Sequence, residues 1–212
     1  MAGSLITIEG IDGAGKSTLA QSLLAALAQR GQQAELFREP GGTEVAERIR
    51  ALVMDPSLQV APRAEALLYA AARAQLVQEV LEPRLRAGAT LVLDRFVDSS
   101  LAYQGAARGL GVEQVRLLNS FAVGALQPDR TLLLTLPPQL ARERKRAAGA
   151  TADRLEREEE TFFAAVAAAY EQLAAQEPQR IRTIDGSQPP EQVLRDALAA
   201  IDDLLGRGDR AD

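Results

Sequence analysis

Apolar and polar positions change their period several times along the chain. "LITIEG", residues 5–10, is a β-branched apolar run closed by Gly10, the pattern of a short buried strand. From Lys16, "KSTLAQSLLAALAQR" places Leu19, Leu23, Leu24 and Leu27 on one helical face, and Gly31 follows as a stop. "QAELFREP" predicts a second strand closed by Pro40, and a helix capped by Thr43 is expected over "EVAERIRALVMD". Residues 63–87 carry one long helical pattern that tolerates Pro83 late in its course. "ATLVLDR" is continuously apolar, as a buried parallel strand should be. A helix near 112–125 and the strand "RTLLLTL" come next. Helical stretches at 138–147 and 155–176 flank "AAGATAD", a joint of small residues expected to be flexible. "RIRTID" predicts a fifth strand, and "PPEQVLRDALAAIDDLL" a final helix opened by proline, before the loose tail "GRGDRAD".

Strands alternating with helices over the whole length predict an α/β fold with a parallel sheet and right-handed crossovers. No internal repeat or long linker divides the 212 residues, so a single domain spanning 1–212 with a mobile lid is expected.

Composition narrows the chemistry. Hydrophobic content of 47% and charged content of 25% fit a soluble globular protein, and no apolar window is long enough for a membrane span. The N-terminus lacks the charged and apolar regions of a secretory signal, so a cytoplasmic protein is expected. Cysteine and histidine are both absent, which leaves carboxylates, lysine and tyrosine for proton chemistry and oxygen ligands for any metal. The net charge of −5 argues against a nucleic-acid partner. Nearly every cation is arginine. Lys16 and Lys145 are the only lysines, which makes Lys16 conspicuous.

"GIDGAGKS" has the spacing G-x-x-x-x-G-K-[ST] at Gly10, Gly15, Lys16 and Ser17, between a predicted strand and a predicted helix. In such a loop the backbone N–H groups of Gly10, Ile11, Asp12, Gly13, Ala14, Gly15, Lys16, Ser17 and Thr18 face inward on the phosphates of ATP. Lys16 reaches the β- and γ-phosphates and Ser17 ligates Mg²⁺. The motif alone does not choose among switches, motors and small-molecule kinases. A guanine-reading N-K-x-D element is missing, and no apolar strand ends in Asp-Glu; the third strand ends Asp94-Arg95 instead. Arg38, Arg50, Arg73 and Arg95 all fall near the edge of the sheet where α/β folds bind ligands, and arginine suits bidentate phosphate contacts. A phosphate-monoester acceptor has a second pKa of ~6 and needs no general base, which suits a chain without histidine. The pattern predicts phosphoryl transfer between two nucleotides.

"EGIDGAGKST", "REPGGT", "YAAARAQ" and "DRFVDSSLAYQG", in this order and spacing, resemble the bacterial thymidylate kinases over essentially the whole chain. The resemblance implies a three-layer P-loop kinase fold, a five-stranded parallel sheet flanked by helices, with a helical lid at about 138–157. It implies an ATP- and Mg²⁺-dependent conversion of dTMP to dTDP for dTTP biosynthesis, in a homodimer. On this basis Arg95 holds the dTMP phosphate, with Arg50 as its partner and Arg38 nearby, and Asp94 organises Mg²⁺ through water. Tyr69 stacks on thymine where relatives more often carry Phe. Arg73 bonds the base, and Ser100 and Gln104, with Tyr103 in the same "AYQG" run, complete the dTMP site. Asp12 either accepts from the deoxyribose 3′-hydroxyl or binds Mg²⁺ through water. One branch of the family has a catalytic arginine directly after that acid. Gly13 places this chain with the branch that supplies the cation from the lid, where Arg142, Arg144, Arg146 and Arg154 are the candidates. "GATAD" departs from the shorter lid common in the family. The competing expectations are a kinase for another nucleoside monophosphate and a P-loop regulatory protein without turnover.

Overall fold

The five predicted strands form one all-parallel sheet in the order β2-β3-β1-β4-β5 in the computed structural model, which describes residues 3–147, 154 and 158–205. They are β1 (Ser4–Glu9), β2 (Ala34–Arg38), β3 (Thr90–Asp94), β4 (Arg130–Thr135) and β5 (Ile181–Asp185). β1 is central: Ser4 to Ile8 pair with Thr90 to Asp94 on one side, and Ile6 to Glu9 with Arg130 to Leu133 on the other. Parallel neighbours need crossovers, and the helices that supply them cover both faces of the sheet.

Alternation along each strand sends side chains to opposite faces. Ile6, Ile8 and Val92 join a core cluster with Leu19, Leu23 and Leu27 of α1 (Lys16–Gln29) and Ile201 of α9 (Pro190–Leu205). Leu5, Leu91 and Leu93 join a second cluster with Leu76 of α3 (Pro62–Leu76), Phe96, and Val123 of α6 (Val112–Val123). The result is a three-layer sandwich. Thr43 caps α2 (Glu44–Met54) by accepting from Ala46 N at 3.2 Å, as its sequence position predicts. Among the described residues, no helix is long and apolar enough to cross a membrane.

Two stretches differ from the periodicity. The long pattern at 63–87 is α3, a π-helical turn (Val77–Leu81) and α4 (Glu82–Arg86). The wide turn ends two residues before Pro83, whose ring would otherwise meet the carbonyl four residues back. Between β3 and α6 stand a short helix, α5 (Val97–Ser100), and a second π-helical stretch (Leu101–Ala107), neither foreshadowed by the pattern. Residues 98–105 are all buried, so no polar face marks the helix. Its start is capped from afar: the Glu9 carboxylate accepts from Phe96 N at 2.7 Å and Ser99 N at 3.3 Å.

Beyond β4, α7 (Pro138–Ala147) and α8 (Glu160–Gln176) match the two helical stretches, α8 beginning later than the pattern suggested. The joint 148–153, residues 155–157 and the tail 206–212 lie outside the described residues.

Candidate active site

All of the chemistry collects where β1 and β3 end. The chain leaves β1 at Glu9 and turns through Gly10, Gly13 and Gly15, all at positive φ, before α1 begins at Lys16. Gly13, at φ 88°, has a second reason to lack a side chain. A Cβ there would collide with the Ala141 carbonyl of α7 and lie 3.0 Å from Lys145 Cγ.

Inside this loop Lys16 is buried, donating to Ile11 O at 3.0 Å and standing 3.7 Å from the Asp12 carboxylate. Burial first, and then the nearby Arg95 guanidinium, pull the Lys16 ammonium down to about 8 against the opposing pull of Asp12, Asp94 and Glu9. Ser17 Oγ donates to Asp94 Oδ2 at 2.8 Å, so a hydroxyl and a carboxylate from two elements meet beside the loop.

Arg95 follows Asp94 and, at φ 76°, is the only non-glycine residue with positive φ among those described. Glu9, fixing the next N–H, holds the chain in this turn. The guanidinium thereby faces back onto the loop. It donates to Asp12 Oδ1 at 2.5 Å, Gly10 O at 3.2 Å, Ser99 Oγ at 3.0 Å and Tyr103 Oη at 3.3 Å. Tyr103 Oη donates in turn to Asp12 Oδ2 at 3.1 Å. Burial works against the Asp12 charge, but Arg95, Lys16 and Lys145 outweigh it and hold the carboxyl well below its usual range. Asp12 therefore carries its charge to anchor cations. Behind it, Glu9 accepts from Ser99 Oγ at 2.6 Å and Tyr170 Oη at 2.8 Å, which ties α8 to the same cluster.

A cavity of about 740 Å³ runs from residues 12–18 of the loop to a pocket formed by Tyr69, Arg73, Ser100, Tyr103 and Gln104. Arg38, Arg50, Asp94, Arg95, Arg144 and Lys145 also line it. Gly10 and Ile11 lie behind the loop surface: Gly10 receives Arg95 through its carbonyl, and Ile11 borders a cleft of about 50 Å³ with Arg142, Lys145 and Phe163. Arg50 donates to Pro40 O at 2.9 Å, and Arg38 meets Glu47 at 3.2 Å.

Arg73 is 2% exposed, and its fork is held on four sides. Nε donates to Glu39 Oε2 at 2.7 Å, Nη1 to Ser100 Oγ at 2.9 Å and to Asn119 Oδ1, and Nη2 to Phe96 O at 3.0 Å. Four of its five N–H groups are thereby engaged, and the remaining Nη2 proton is available to a ligand. Burial pushes the Glu39 carboxyl up to about 7 despite Arg73, and its Oε1 has no hydrogen-bond partner. Gln104 Nε2 donates to the fully buried Glu65 at 2.9 Å. Glu65, Tyr69 and Arg73 repeat at a spacing of four on α3, one stripe of a helix.

The lid candidates separate. Arg144 lines the cavity and donates to Gly186 O at 2.7 Å. Arg142 lies 3.5 Å from Glu160, and Arg146 is exposed and outside the cavity. Arg154 is away from the loop: it bonds Glu65 and donates to Val53 O at 2.8 Å, between α2 and α3. Lys145, which the sequence reading passed over, stands at the loop instead. Glu9, Glu39, Glu65, Asn119 and Tyr170 were passed over as well. Acids ending two predicted strands or entering them (Glu9 and Glu39) and the 65-69-73 spacing were legible signals. Asn119 and Tyr170 reach the site only through the fold.

The residues fit a bound Mg²⁺. Among those described, no three carboxylates or histidines converge, so an all-protein cage is absent. One hydroxyl and one carboxylate, Ser17 and Asp94, match an ion that takes its other oxygens from phosphates and water.

Comparison with known proteins identifies the family. A family model described as thymidylate kinase matches residues 8–197. The thymidylate kinase of Rhizorhabdus wittichii is 47% identical over 207 residues, 97% of this chain and 100% of its own length. That of Pseudomonas entomophila is also 47% identical, covering 97% and 96% of the two chains. That of Bacillus pumilus is 42% identical, covering 97% and 98%. On the extent of the family match and of these identities, the chain belongs to the thymidylate kinase family, with its α/β P-loop kinase fold.

Proposed function

We propose that the protein transfers the γ-phosphoryl group of ATP to dTMP, giving ADP and dTDP, a reading supported by the name thymidylate kinase that its relatives carry. The observation that carries this reading is the single cavity joining the phosphate loop to the Tyr69–Arg73 pocket, with Arg95 between them. A donor and an acceptor fit end to end, which converts a meeting of two polyanions into a positioned transfer.

Lys16 takes the β- and γ-phosphates and Arg95 the acceptor phosphate, supported by Arg50 and Arg38. Ser17 and Asp94 would hold Mg²⁺, which would neutralise phosphate charge. Tyr69 stacks on the base, and the remaining Nη2 proton of Arg73 donates to a base carbonyl. Gln104 and Ser100, both buried, shape the same pocket. Asp12 keeps Arg95 oriented and charged in the absence of a second phosphate, which leaves its role toward the 3′-hydroxyl or Mg²⁺ to the bound complex. The chain works as one domain, with residues 138–157 as its lid, in the cytoplasm.

A homodimer is part of the reading. Leu117 and Phe121 of α6 are 72% and 93% exposed, and Leu67 of α3, a helix packed against α6, is exposed as well; a second copy would cover this apolar surface. Phe121→Asp should convert a dimer into a monomer by sedimentation. An unchanged sedimentation coefficient would remove this face from the interface.

The activity itself is tested by ADP release from ATP and Mg²⁺ with dTMP added. Release that depends on dTMP supports the reading, and ATP binding without acceptor-dependent release would make the protein a nucleotide-binding regulator instead.

A further inference from the structure

Glu65 is a charge with no surface at all: it is 0% exposed, on the same α3 stripe as Tyr69 and Arg73. Its carboxylate is saturated. Oε1 accepts from Gln104 Nε2 at 2.9 Å and from Arg108 Nε at 3.3 Å. Oε2 accepts from Arg108 Nη2 at 3.3 Å and from Arg154 Nη2. The four acceptor positions of an ionised carboxylate are thereby all filled by N–H donors. Arg108 is itself fixed, by Glu158 at 2.6 Å and by the Phe162 ring, whose centroid lies 4.8 Å from its guanidinium carbon.

The consequence falls on Gln104. A side-chain amide has a donating end and an accepting end of nearly the same shape, and its partner decides which end faces where. A carboxylate between two guanidinium groups only accepts, so Gln104 turns Nε2 toward Glu65. Gln104 lines the cavity, and its Oε1 has no hydrogen-bond partner among the described residues, yet is not sealed from solvent. What Gln104 shows a ligand is an acceptor.

We propose that Glu65 is a positioning residue for base selection. By holding the Gln104 oxygen toward the cavity, it makes the pocket take a pyrimidine that carries N3–H and refuse one whose N3 is itself an acceptor. Thymine and uracil have that N–H beside a carbonyl, which suits the remaining Nη2 proton of Arg73. Cytosine has a bare N3 beside an amino group. Its N3 would face the Gln104 oxygen, acceptor against acceptor, and both would stay unpaired. One helix, α3, thus supplies both halves of the recognition: Arg73 directly, and Glu65 through Gln104. This inference rests on the acceptor-site reading above and adds the residue that sets the amide.

Glu65→Gln keeps the shape and removes the charge. Its oxygen should stay with the guanidinium groups, its NH₂ should face Gln104, and Gln104 should turn over to accept. The ratio of kcat/KM for dTMP to that for dCMP is then expected to fall at least about 10-fold from the wild-type value. The calorimetric preference for thymidine over deoxycytidine should narrow by a similar factor. Glu65→Gln/Arg154→Met, which removes a guanidinium together with the carboxylate, should narrow it equally and gives the reading if the single variant unfolds. In the wild type, N3-methylthymidine should bind at least about 10-fold weaker than thymidine. Equal affinity for those two nucleosides would overturn the proposal. So would a folded variant in which both acceptors lose activity together and the ratio is unchanged, the result of a merely structural Glu65. A wild-type protein that binds neither nucleoside and shows no acceptor-dependent ADP release would instead remove the acceptor-site reading itself.

Discussion

Lys16→Ala is expected to lower kcat by roughly 10³-fold while leaving the thermal unfolding midpoint nearly unchanged. The native arrangement is itself costly. Lys16 is buried beneath the loop with one carbonyl contact and a carboxylate at 3.7 Å, and burial works against its charge. A group held so far from its solution preference contributes little to folding. Its return comes when ATP supplies the phosphate oxygens. The same balance sets a pH dependence for the free protein. Lys16 loses its proton as pH rises through about 8, below the usual lysine range, so above that point it must regain a proton to meet the phosphates. ATP affinity should therefore fall with rising pH from about 8, and binding should take up protons there in calorimetry run in buffers of different ionisation heat. Lys16→Ala should abolish both the uptake and the dependence. A variant with half the wild-type rate would contradict the assignment of the loop.

Arg95→Lys should be nearly as damaging, despite keeping the charge. Two Nη groups of Arg95 reach Asp12, Gly10 O, Ser99 and Tyr103 at once, and the backbone at φ 76° aims the fork at the loop. An ammonium cannot span those acceptors and a phosphate together. Losing two charge-assisted hydrogen bonds at ~1.5–3 kcal/mol each, partly offset by the retained charge, corresponds to about 100-fold weaker dTMP binding. ATP binding should change little. Calorimetric titration with dTMP reads the first effect, and near-normal dTMP affinity would count against Arg95 as the acceptor-phosphate ligand.

The strands and most helices were legible because burial on one or two faces imposes a period, and β1, β3 and β4 show it plainly. The 97–107 helix was not, because its residues are buried all round and its cap comes from Glu9, some 87 positions away in sequence. Within the site, the loop was readable from glycine spacing, and Arg95 and Arg73 from their places at a strand end and on a helix stripe. What the sequence could not convey was how arginines divide their loyalties. Arg154 and Arg144 look alike in a charged run, yet one meets buried Glu65 and the other a backbone carbonyl. Lys145 could have been singled out by the rarity that marked Lys16. The partners of Asp12 became visible only in three dimensions, since the main one, Arg95, lies beyond β3.

The central claim is that one cavity holds ATP and dTMP for direct transfer. The most direct measurement is a panel of acceptors, dTMP, dUMP, dCMP and AMP, assayed for ADP release with saturating ATP and Mg²⁺. The pocket predicts a higher kcat/KM for dTMP than for dCMP or AMP, because the donor proposed on Arg73 would meet a base carbonyl where cytosine and adenine present an amino group, while dUMP, which shares that carbonyl, should react as well. A higher kcat/KM for dCMP or AMP than for dTMP would contradict it.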